Sequence, residues 1–377
     1  MEYTETFNVL RSLFSAGKEE ILIPGSDIKI YNIGFRSDVV LNGFSNENDT
    51  LIQENYSFSY PVFTPRNRSS EKVILLLHGL NERSWVKYLV WAYWLASYTD
   101  SYVILFPISF HINRSPDSWK DPRAMLNFMK DRNSTLGEIR MSSFANVALS
   151  NRLSEDPMRF FNSGYQTTSD IIKLLSIVRD GGHRIIPKSS KIDIFAYSIG
   201  AFLAEIILMG NPENLFTESR LFIFCGGSVF SNMRGTSKLI MDSLAFDRVY
   251  GFYMNDFEKS ITGRSTLSDF FNSSQIGMAF RSMIDLGRLK SFRENIFKKL
   301  KAQIHSITLS KDTVIPAGGV VKTLNNRNSD MQKLVKVWDF PYSYSHENPF
   351  PVFDNPLSEQ VDTCFDRVFN EARAFLI

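Results

Sequence analysis

The sequence has few cysteines and no long apolar run. Only Cys225 and Cys364 occur among its 377 residues, so a disulfide framework is excluded and two reduced thiols fit a reducing compartment. No stretch reaches the roughly 18 apolar residues that a membrane span requires. The first residues, 1–14, lack a basic segment followed by an apolar one, so no signal peptide is predicted. These absences favour a soluble, cytoplasmic protein that does not bind a membrane.

Neither sign of charge dominates the chain. It carries 42 basic and 40 acidic side chains, for a formal net charge of +2, which gives no basis for binding nucleic acid. The five histidines show no metal-ligand spacing with cysteine or carboxylate residues. No Gly-x-Gly-x-x-Gly motif follows an apolar run, which argues against a dehydrogenase. We therefore expect no metal, no cofactor and no nucleic-acid partner, and the oligomeric state stays open.

Apolar runs of strand length alternate with segments of helical periodicity along most of the chain. Residues 73–77 are apolar throughout, which is typical of a strand buried on both faces of a parallel sheet. The same reasoning predicts strands at 57–64, 102–106, 191–195, 221–224, 305–309 and 334–338, and helices at 85–98, 167–178, 201–209, 314–324 and 357–375. This alternation predicts an α/β fold with a doubly wound, mostly parallel sheet.

Two stretches, 108–166 and 228–302, are too long to be ordinary connections between a strand and a helix. Both follow predicted strand ends, the side on which open α/β sheets bind ligands. We interpret them as helical insertions that form a cap or lid; the alternative is surface insertions without a function. They interrupt a domain over residues 57–377. Residues 1–56 are an N-terminal extension, which forms either leading antiparallel strands or an arm over the lid.

A serine stands between a predicted strand and a predicted helix in Ala196-Tyr197-Ser198-Ile199-Gly200. Small residues two positions before and two positions after Ser198 leave room where the strand and the helix cross, as a serine on a strained turn requires. The motif normally reads Gly-x-Ser-x-Gly, and here alanine replaces the first glycine. The alternative is that Ser198 only caps the helix that follows it.

An aspartate and a histidine follow the last two predicted strands. A serine hydroxyl becomes a good nucleophile when a histidine takes its proton, and an acid fixes the tautomer of that histidine. Asp312 follows the strand at 305–309, and His346 follows the strand at 334–338. Because the carboxyl ends of parallel strands share one edge of a sheet, Ser198, Asp312 and His346 can converge there. The alternatives are that Asp312 caps the next helix and that His346 is a surface loop residue.

The order Ser198, Asp312, His346 gives the chain a resemblance to the α/β-hydrolase superfamily, and within it to a bacterial branch. The resemblance covers residues 57–377 apart from the two insertions. It implies a nucleophile elbow at Ser198, with Asp312 as the acid and His346 as the general base. His78-Gly79 is similar to the turn after the third strand of that superfamily. This similarity implies an oxyanion hole formed by the backbone N–H groups of Leu80 and Ile199.

The resemblance also implies the activity of an esterase-like serine hydrolase. Such an enzyme cleaves an ester, thioester or amide of a small molecule through an acyl-serine intermediate. Two alternatives stay open. One is acyl transfer by the same residues to an acceptor other than water, since the lid decides how far water is excluded. The other is a non-catalytic binding protein that retains the fold, since fold does not determine function.

Several polar residues are candidates for contacts with the substrate. His111, Asn113 and Arg114 follow the carboxyl end of the strand at 102–106, where they should face the site. Their side chains can recognise a carboxylate or a phosphate, arginine by paired contacts. The alternative is that they hydrogen-bond the backbone of the insertion itself. Tyr197, beside the serine, is a further candidate.

Overall fold

The residues that the structure describes form one nine-stranded sheet. The computed structural model describes residues 2–39, 47–67, 69–263, 265–324, 334–353 and 357–376. Within them the strands are β1 (Glu20–Leu22), β2 (Lys29–Arg36), β3 (Ser57–Phe63), β4 (Lys72–Leu77), β5 (Tyr102–Leu105), β6 (Lys191–Tyr197), β7 (Leu221–Phe224), β8 (Ile304–Leu309) and β9 (Val335–Trp338).

The sheet is mostly parallel. Its strand order is β1-β2-β3-β5-β4-β6-β7-β8-β9, and strands β4 to β9 all run in the same direction. Strand β3 is antiparallel to both of its neighbours, and β1 is antiparallel to β2. The predicted doubly wound, mostly parallel α/β sheet is confirmed. The carboxyl ends of β4, β6, β8 and β9 meet at one edge, and this edge carries the candidate site.

Helices cover both faces of the sheet. They are α1 (Tyr3–Leu13), α2 (Glu47–Thr50), α3 (Val86–Thr99), α4 (Pro122–Leu136), α5 (Val147–Glu155), α6 (Met158–Arg179), α7 (Ile199–Gly210), α8 (Ser243–Gly251), α9 (Phe257–Ser260), α10 (Thr266–Ser273), α11 (Gln275–Ile284), α12 (Lys290–Leu300), α13 (Ala317–Leu324) and α14 (Leu357–Leu376). A π-helical segment, Phe252–Asp256, joins α8 to α9. None of the helices in the described ranges combines the length and apolar character needed to cross a bilayer.

One face packs against α1, α3 and α14. Trp91 of α3 is fully buried at the centre of this layer. Its ring meets Tyr197 edge-on at 5.2 Å and Phe369 of α14 at 5.7 Å between centroids. Edge-to-face pairs of this kind stabilise a core beyond the area they bury. The end of β6, which carries the candidate nucleophile, is therefore supported by a rigid aromatic layer.

The other face packs against α6, α7, α13 and the helices between residues 243 and 300. Helix α6 begins at Met158, nine residues earlier than the predicted helix at 167–178. Phe161 in this extra part packs against Phe271 of α10, with ring centroids 4.6 Å apart. Contact with the second insertion thus extends the helix into a region that the sequence assigned to the first insertion.

Residues before 57 contribute to the main sheet. Strand β2 pairs with β3 over seven residues, and β1 pairs with the outer edge of β2. Helix α1 packs against α3 and α14, with the rings of Tyr3 and Phe365 4.7 Å apart. Of the two predicted arrangements, the described residues adopt the leading antiparallel strands. Strands β2 and β3 pair in one continuous sheet, so this sheet crosses the predicted boundary at residue 56. The division of the chain at that residue stays a prediction.

The two insertions contact each other above the sheet. Asp242 lies at the start of α8, where one carboxylate oxygen accepts from Ala245 N at 2.9 Å and caps the helix. The other oxygen pairs with Arg132 of α4, and both side chains are buried. Asn146 at the start of α5 donates to Ser237 O at 2.9 Å. Residues from both predicted insertions therefore form one connected layer.

Candidate active site

Ser198 lies on a sharp turn between β6 and α7. Its backbone has φ 57° and ψ −124°, a conformation that costs energy for a residue with a side chain. Gly200, one residue into the helix, faces the end of β4, where a Cβ atom would come within 2.6 Å of Leu77 O and 2.7 Å of His78 O. Only glycine fits at this crossing. The strained turn projects the Ser198 side chain beyond the end of the sheet.

The structure brings Ser198, His346 and Asp312 into one hydrogen-bonded chain. Ser198 Oγ lies 2.7 Å from His346 Nε2, and His346 Nδ1 lies 2.7 Å from Asp312 Oδ2. A carboxylate only accepts, so Nδ1 carries the proton and Nε2 is free to accept from the serine hydroxyl. All three side chains are buried. This is the geometry that activates a serine as a nucleophile.

The Asp312 side chain is held by backbone N–H groups that follow it in the chain. Its Oδ1 accepts from Val314 N at 2.9 Å and from Ile315 N at 2.8 Å, which leaves Oδ2 for the histidine. Helix α13 begins only at Ala317, so these contacts hold the turn that precedes the helix. Asp312 therefore does not cap the helix itself: one carboxylate oxygen holds the turn before α13, and the other makes the predicted contact with His346.

The loop that carries His346 is held by Tyr197, which the sequence suggested as a substrate contact, and by Lys87, which it did not suggest. The Tyr197 hydroxyl donates to His346 O, and the two rings stack with centroids 5.6 Å apart. Lys87 Nζ donates to Glu347 O at 3.0 Å and pairs with Glu82. Lys87 thereby connects the loop that carries His346 to the turn after β4. A lysine in an otherwise apolar helix was the only sequence signal for this contact.

Two backbone amides border the serine. Leu80 follows the His78-Gly79 turn at the end of β4, and Ile199 opens α7, where the first amides of a helix lack partners within it. In the part of the chain that the structure describes, neither amide donates to a protein acceptor. His78 braces the turn, since its Nδ1 donates to Gly79 O at 2.8 Å and its Nε2 accepts from Ile108 N at 2.9 Å. Burial lowers the pKa of His78 to about 3, so this ring stays neutral.

A polar cleft of about 230 Å³ opens at Ser198 and His346. We call it the polar cleft. Both insertions contribute to its walls, with Ala145 from the first and Leu239 from the second. Asn81, in the turn after β4, donates to the carbonyl oxygens of both residues, at 2.9 Å and 2.8 Å. The remaining lining residues include the charged side chains of Glu82, Arg83 and Glu347.

A second, mostly apolar space has Leu80 and Ile199 among its lining residues. We call it the apolar cavity; its volume is about 70 Å³. Its walls come from α5, α6, α7 and α11 and are mainly aliphatic and aromatic, among them Leu149, Leu153, Phe160, Phe202, Leu203 and Phe280. Its buried polar lining residues are Ser109, His111, Arg152, Arg159 and Thr168. Leu80 lines both spaces, and Ser198 lines only the polar cleft.

The predicted substrate contacts divide into two groups. His111 lines the apolar cavity, and Tyr197 lines the polar cleft, where its hydroxyl is occupied by His346 O. Arg114 is fully buried and donates to Asp170 at 2.8 Å and to Asn55 O at 2.9 Å. The geometry therefore contradicts the prediction that Arg114 binds a substrate anion, because protein acceptors already occupy its guanidinium group.

Asn113 also turns away from the site. Its amide donates to Ser59 O of β3 at 2.7 Å, and it is not among the described residues that line either space. The predicted alternative, hydrogen bonds to the backbone of the insertion itself, describes His111, whose Nδ1 donates to Ser109 O, but not Asn113 and Arg114, whose acceptors at Ser59, Asn55 and Asp170 lie outside residues 108–166. The sequence could not reveal this, because their partners lie more than 50 positions away.

The strand order and the serine on its strained turn define an α/β-hydrolase fold. The whole chain, residues 1–377, matches the family described as "Family of unknown function (DUF6051)", and it belongs to that family. Among curated proteins, none is similar enough in sequence to match.

Solved structures with a similar fold include a bacterial heroin esterase, at 12% identity and a TM-score of 0.47, covering 99% of this chain and 91% of that one. An esterase of Pyrobaculum calidifontis has 11% identity and a TM-score of 0.44, covering 98% and 92%. An acylaminoacyl peptidase of Pyrococcus horikoshii has 13% identity and a TM-score of 0.42 over 90% of this chain; the chain spans only 41% of that enzyme. At this level of similarity, these structures carry no argument about activity.

Proposed function

We propose that this protein is a serine hydrolase that cleaves an ester, thioester or amide of a small molecule through an acyl group on Ser198. The observation that carries the proposal is the continuous chain from Ser198 Oγ to His346 Nε2 and from His346 Nδ1 to Asp312 Oδ2, each step 2.7 Å long. A serine that served only as a helix cap would not need a histidine and an aspartate in this order.

In the first half of the reaction, Ser198 Oγ forms a bond to the carbonyl carbon while its proton passes to His346 Nε2. The carbonyl oxygen becomes an oxyanion, and the free N–H groups of Leu80 and Ile199 are the donors that would stabilise it. His346 then gives its proton to the leaving group as the bond to that group breaks. Asp312 keeps the ring in the required tautomer and stabilises its positive charge.

In the second half, a water molecule takes the place of the leaving group. His346 Nε2 removes a proton from this water as its oxygen attacks the acyl carbon, and the same proton returns to Ser198 Oγ when the acyl bond breaks. The products are the free acid and the regenerated enzyme. The two insertions that border the polar cleft support a role as a cap, since Asn81 binds to both of them beside the proposed oxyanion donors.

Labelling with a fluorophosphonate probe, which reacts with activated serines, tests the proposal. Wild-type protein should be labelled, and Ser198→Ala should not. Ser84 lines the same polar cleft without a histidine partner and provides a matched control, so Ser84→Ala should still be labelled. Circular dichroism establishes that each variant is folded. Equal labelling of Ser198→Ala and wild type, or no labelling of folded wild-type protein, would refute the proposal.

A further inference from the structure

The turn after β4 carries one of the two proposed oxyanion donors, the Leu80 N–H. On one side of this amide, Gly79 O accepts from His78 Nδ1 at 2.8 Å, and Gly79 N donates to the Tyr88 hydroxyl at 2.9 Å. The C=O and N–H groups of a trans peptide point in opposite directions, so the contact with His78 directs the Leu80 N–H away from that ring. This side of the amide is held by residues of the sheet and of α3.

On the other side of Leu80, one side chain ties the turn to both insertions. Asn81 has φ 60°, in the left-handed region that asparagine adopts more readily than most residues. Its Nδ2 carries two hydrogens and donates to Ala145 O at 2.9 Å and to Leu239 O at 2.8 Å. Ala145 belongs to the first predicted insertion and Leu239 to the second.

The next two residues of the turn also contact the first insertion. Glu82 O accepts from Ile112 N at 3.1 Å, and Arg83 Nη2 donates to Trp119 O at 3.0 Å. Three successive residues of the turn therefore bind to the insertions. Asn81 contacts both insertions and is bonded directly to Leu80, so its position bears most directly on the Leu80 amide.

The second proposed donor is held in another way. Ile199 is the first residue of α7, whose position is set where Gly200 meets the backbone at the end of β4. The second insertion also reaches the loop that carries His346, because Ser237 Oγ donates to Glu347 Oε1. That contact does not involve Asn81. A substitution at Asn81 therefore acts on the Leu80 donor and leaves the contacts of Ile199 and of the His346 loop in place.

We propose that Asn81 is a positioning residue, which fixes the direction of the Leu80 N–H by tying its turn to both insertions. This inference rests on the proposed function, since it assumes that an oxyanion forms at Ser198. Without the two donations from Nδ2, the turn relaxes and the Leu80 N–H is misdirected. The oxyanion exists in the transition state and not in the bound ester, so kcat falls while KM changes little. The insertions thereby contribute to turnover through a single side chain.

Two variants at Asn81 test the inference. Asn81→Asp keeps the size of the side chain and its tolerance of positive φ, but a carboxylate cannot donate. Asn81→Gly removes the side chain and adopts positive φ without strain. Complete loss of an oxyanion donor costs about 100- to 1000-fold in kcat, and a misdirected donor keeps part of its effect. We expect both variants to lower kcat for 4-methylumbelliferyl hexanoate about 10- to 30-fold, with KM within about threefold of wild type.

Two further readouts separate positioning from a general loss of structure. A trifluoromethyl ketone binds when Ser198 Oγ adds to its carbonyl carbon and the serine proton passes to His346, which leaves an oxyanion on the inhibitor. Its inhibition constant should rise by the same factor by which kcat/KM falls. The pH at which kcat/KM is half-maximal should not move, because the contacts among Ser198, His346 and Asp312 are unchanged.

Asn146 provides a matched control. Its Nδ2 also donates to two carbonyl oxygens, those of Met141 in the first insertion and Ser237 in the second, both at 2.9 Å, and it joins the insertions without contacting the turn. Asn146→Asp should lower Tm but keep kcat within about threefold of wild type. Asn146 is fully buried, so Asn32→Asp is a second control in case Asn146→Asp does not fold. Asn32 Nδ2 donates to Ser15 O at 3.0 Å and to Lys18 O at 2.6 Å, outside both insertions.

The outcomes distinguish this inference from the proposed function. If hydrolysis depends on Ser198 but both Asn81 variants keep kcat within about threefold of wild type, Asn81 is not a positioning residue and the proposed function stands. A rise in KM with unchanged kcat would make Asn81 a substrate contact instead, and would overturn the inference. An equal loss of kcat in folded Asn146→Asp would also overturn it, because loosening of the insertions would then be sufficient. If wild-type protein hydrolyses no ester and Ser198 is not labelled, the proposed function fails and this inference fails with it.

Discussion

Gly200, two residues after the candidate nucleophile, lies where backbone atoms leave no room for a side chain. A Cβ atom at Gly200 would lie 2.6 Å from Leu77 O, whereas ordinary contacts begin at 3.4 Å. Gly200→Ala therefore has to separate α7 from the end of β4 by about 0.8 Å. Both atoms in contact are backbone oxygens, so no side-chain rotation relieves the clash.

The displacement acts directly on the proposed oxyanion donors, because Leu80 follows the end of β4 and Ile199 precedes Gly200. Misplacing reacting groups by about 1 Å costs on the order of 100-fold in rate. We expect Gly200→Ala to lower kcat/KM for a simple ester about 30- to 100-fold. Overpacking of this kind costs about 1–3 kcal/mol of stability, which for a chain of 377 residues corresponds to a fall in Tm of about 1–4 °C.

A matched glycine provides the control. Gly34 lies in β2, and a Cβ atom there meets nothing within 4 Å, so Gly34→Ala should change neither activity nor Tm appreciably. Ester hydrolysis and differential scanning calorimetry on both variants measure the two effects. The reasoning would be refuted if Gly200→Ala kept kcat/KM within about threefold of wild type and unfolded at the same temperature as Gly34→Ala.

Three further predictions follow from the buried polar groups. Tyr197→Phe removes the donor to His346 O but keeps the ring, so kcat should fall about tenfold with KM nearly unchanged in steady-state kinetics; a change in KM alone would contradict this. Arg114→Met leaves Asp170 buried and unpaired, so urea unfolding should show a loss of about 3–5 kcal/mol, with part recovered by adding Asp170→Asn. The ratio of KM values for anionic and neutral esters should not change, and a selective rise for anionic esters would restore Arg114 as a substrate contact. Burial raises the pKa of Glu205 well above its ordinary value, so the folded state holds a proton that the unfolded state releases above about pH 4.3, and stability falls as pH rises from there towards the raised pKa. Glu205→Gln removes this penalty, so its stability relative to wild type should be greater at pH 8 than at pH 5; a constant difference would argue against a protonated Glu205.

The sequence predicted the parts of the fold that depend on local pattern. Strand β7 has the bounds that its apolar run predicts, and the other predicted strands and helices are present with shifted ends. Ser198, Asp312 and His346 could be selected because each follows a strand end, and parallel strands bring these ends to one edge. The start of α6 was missed because its first residues are ordered by contact with a distant part of the chain.

The roles of individual polar residues depended on long-range partners. Arg114 is of a residue type that commonly binds anions. Its guanidinium group, however, already donates to Asp170 and Asn55, which are distant in sequence. The replacement of the first motif glycine by Ala196 is explained by the structure. Ala196 lies within β6, paired with Leu77 and Ile223, and its side chain is part of the core. Of the two small positions around Ser198, only Gly200 faces backbone too closely to hold a side chain.

The central claim is that the reaction passes through an acyl group on Ser198, and trapping this group is its most direct test. Protein mixed with 4-methylumbelliferyl hexanoate, quenched in acid during turnover and digested, can be analysed by peptide mass spectrometry. We predict a hexanoyl adduct on the peptide that contains Ser198, located on Ser198 itself and absent from Ser198→Ala. Catalytic release of the fluorescent alcohol with the acyl group on another residue, or with no adduct while Ser198→Ala is equally active, would contradict the proposed mechanism.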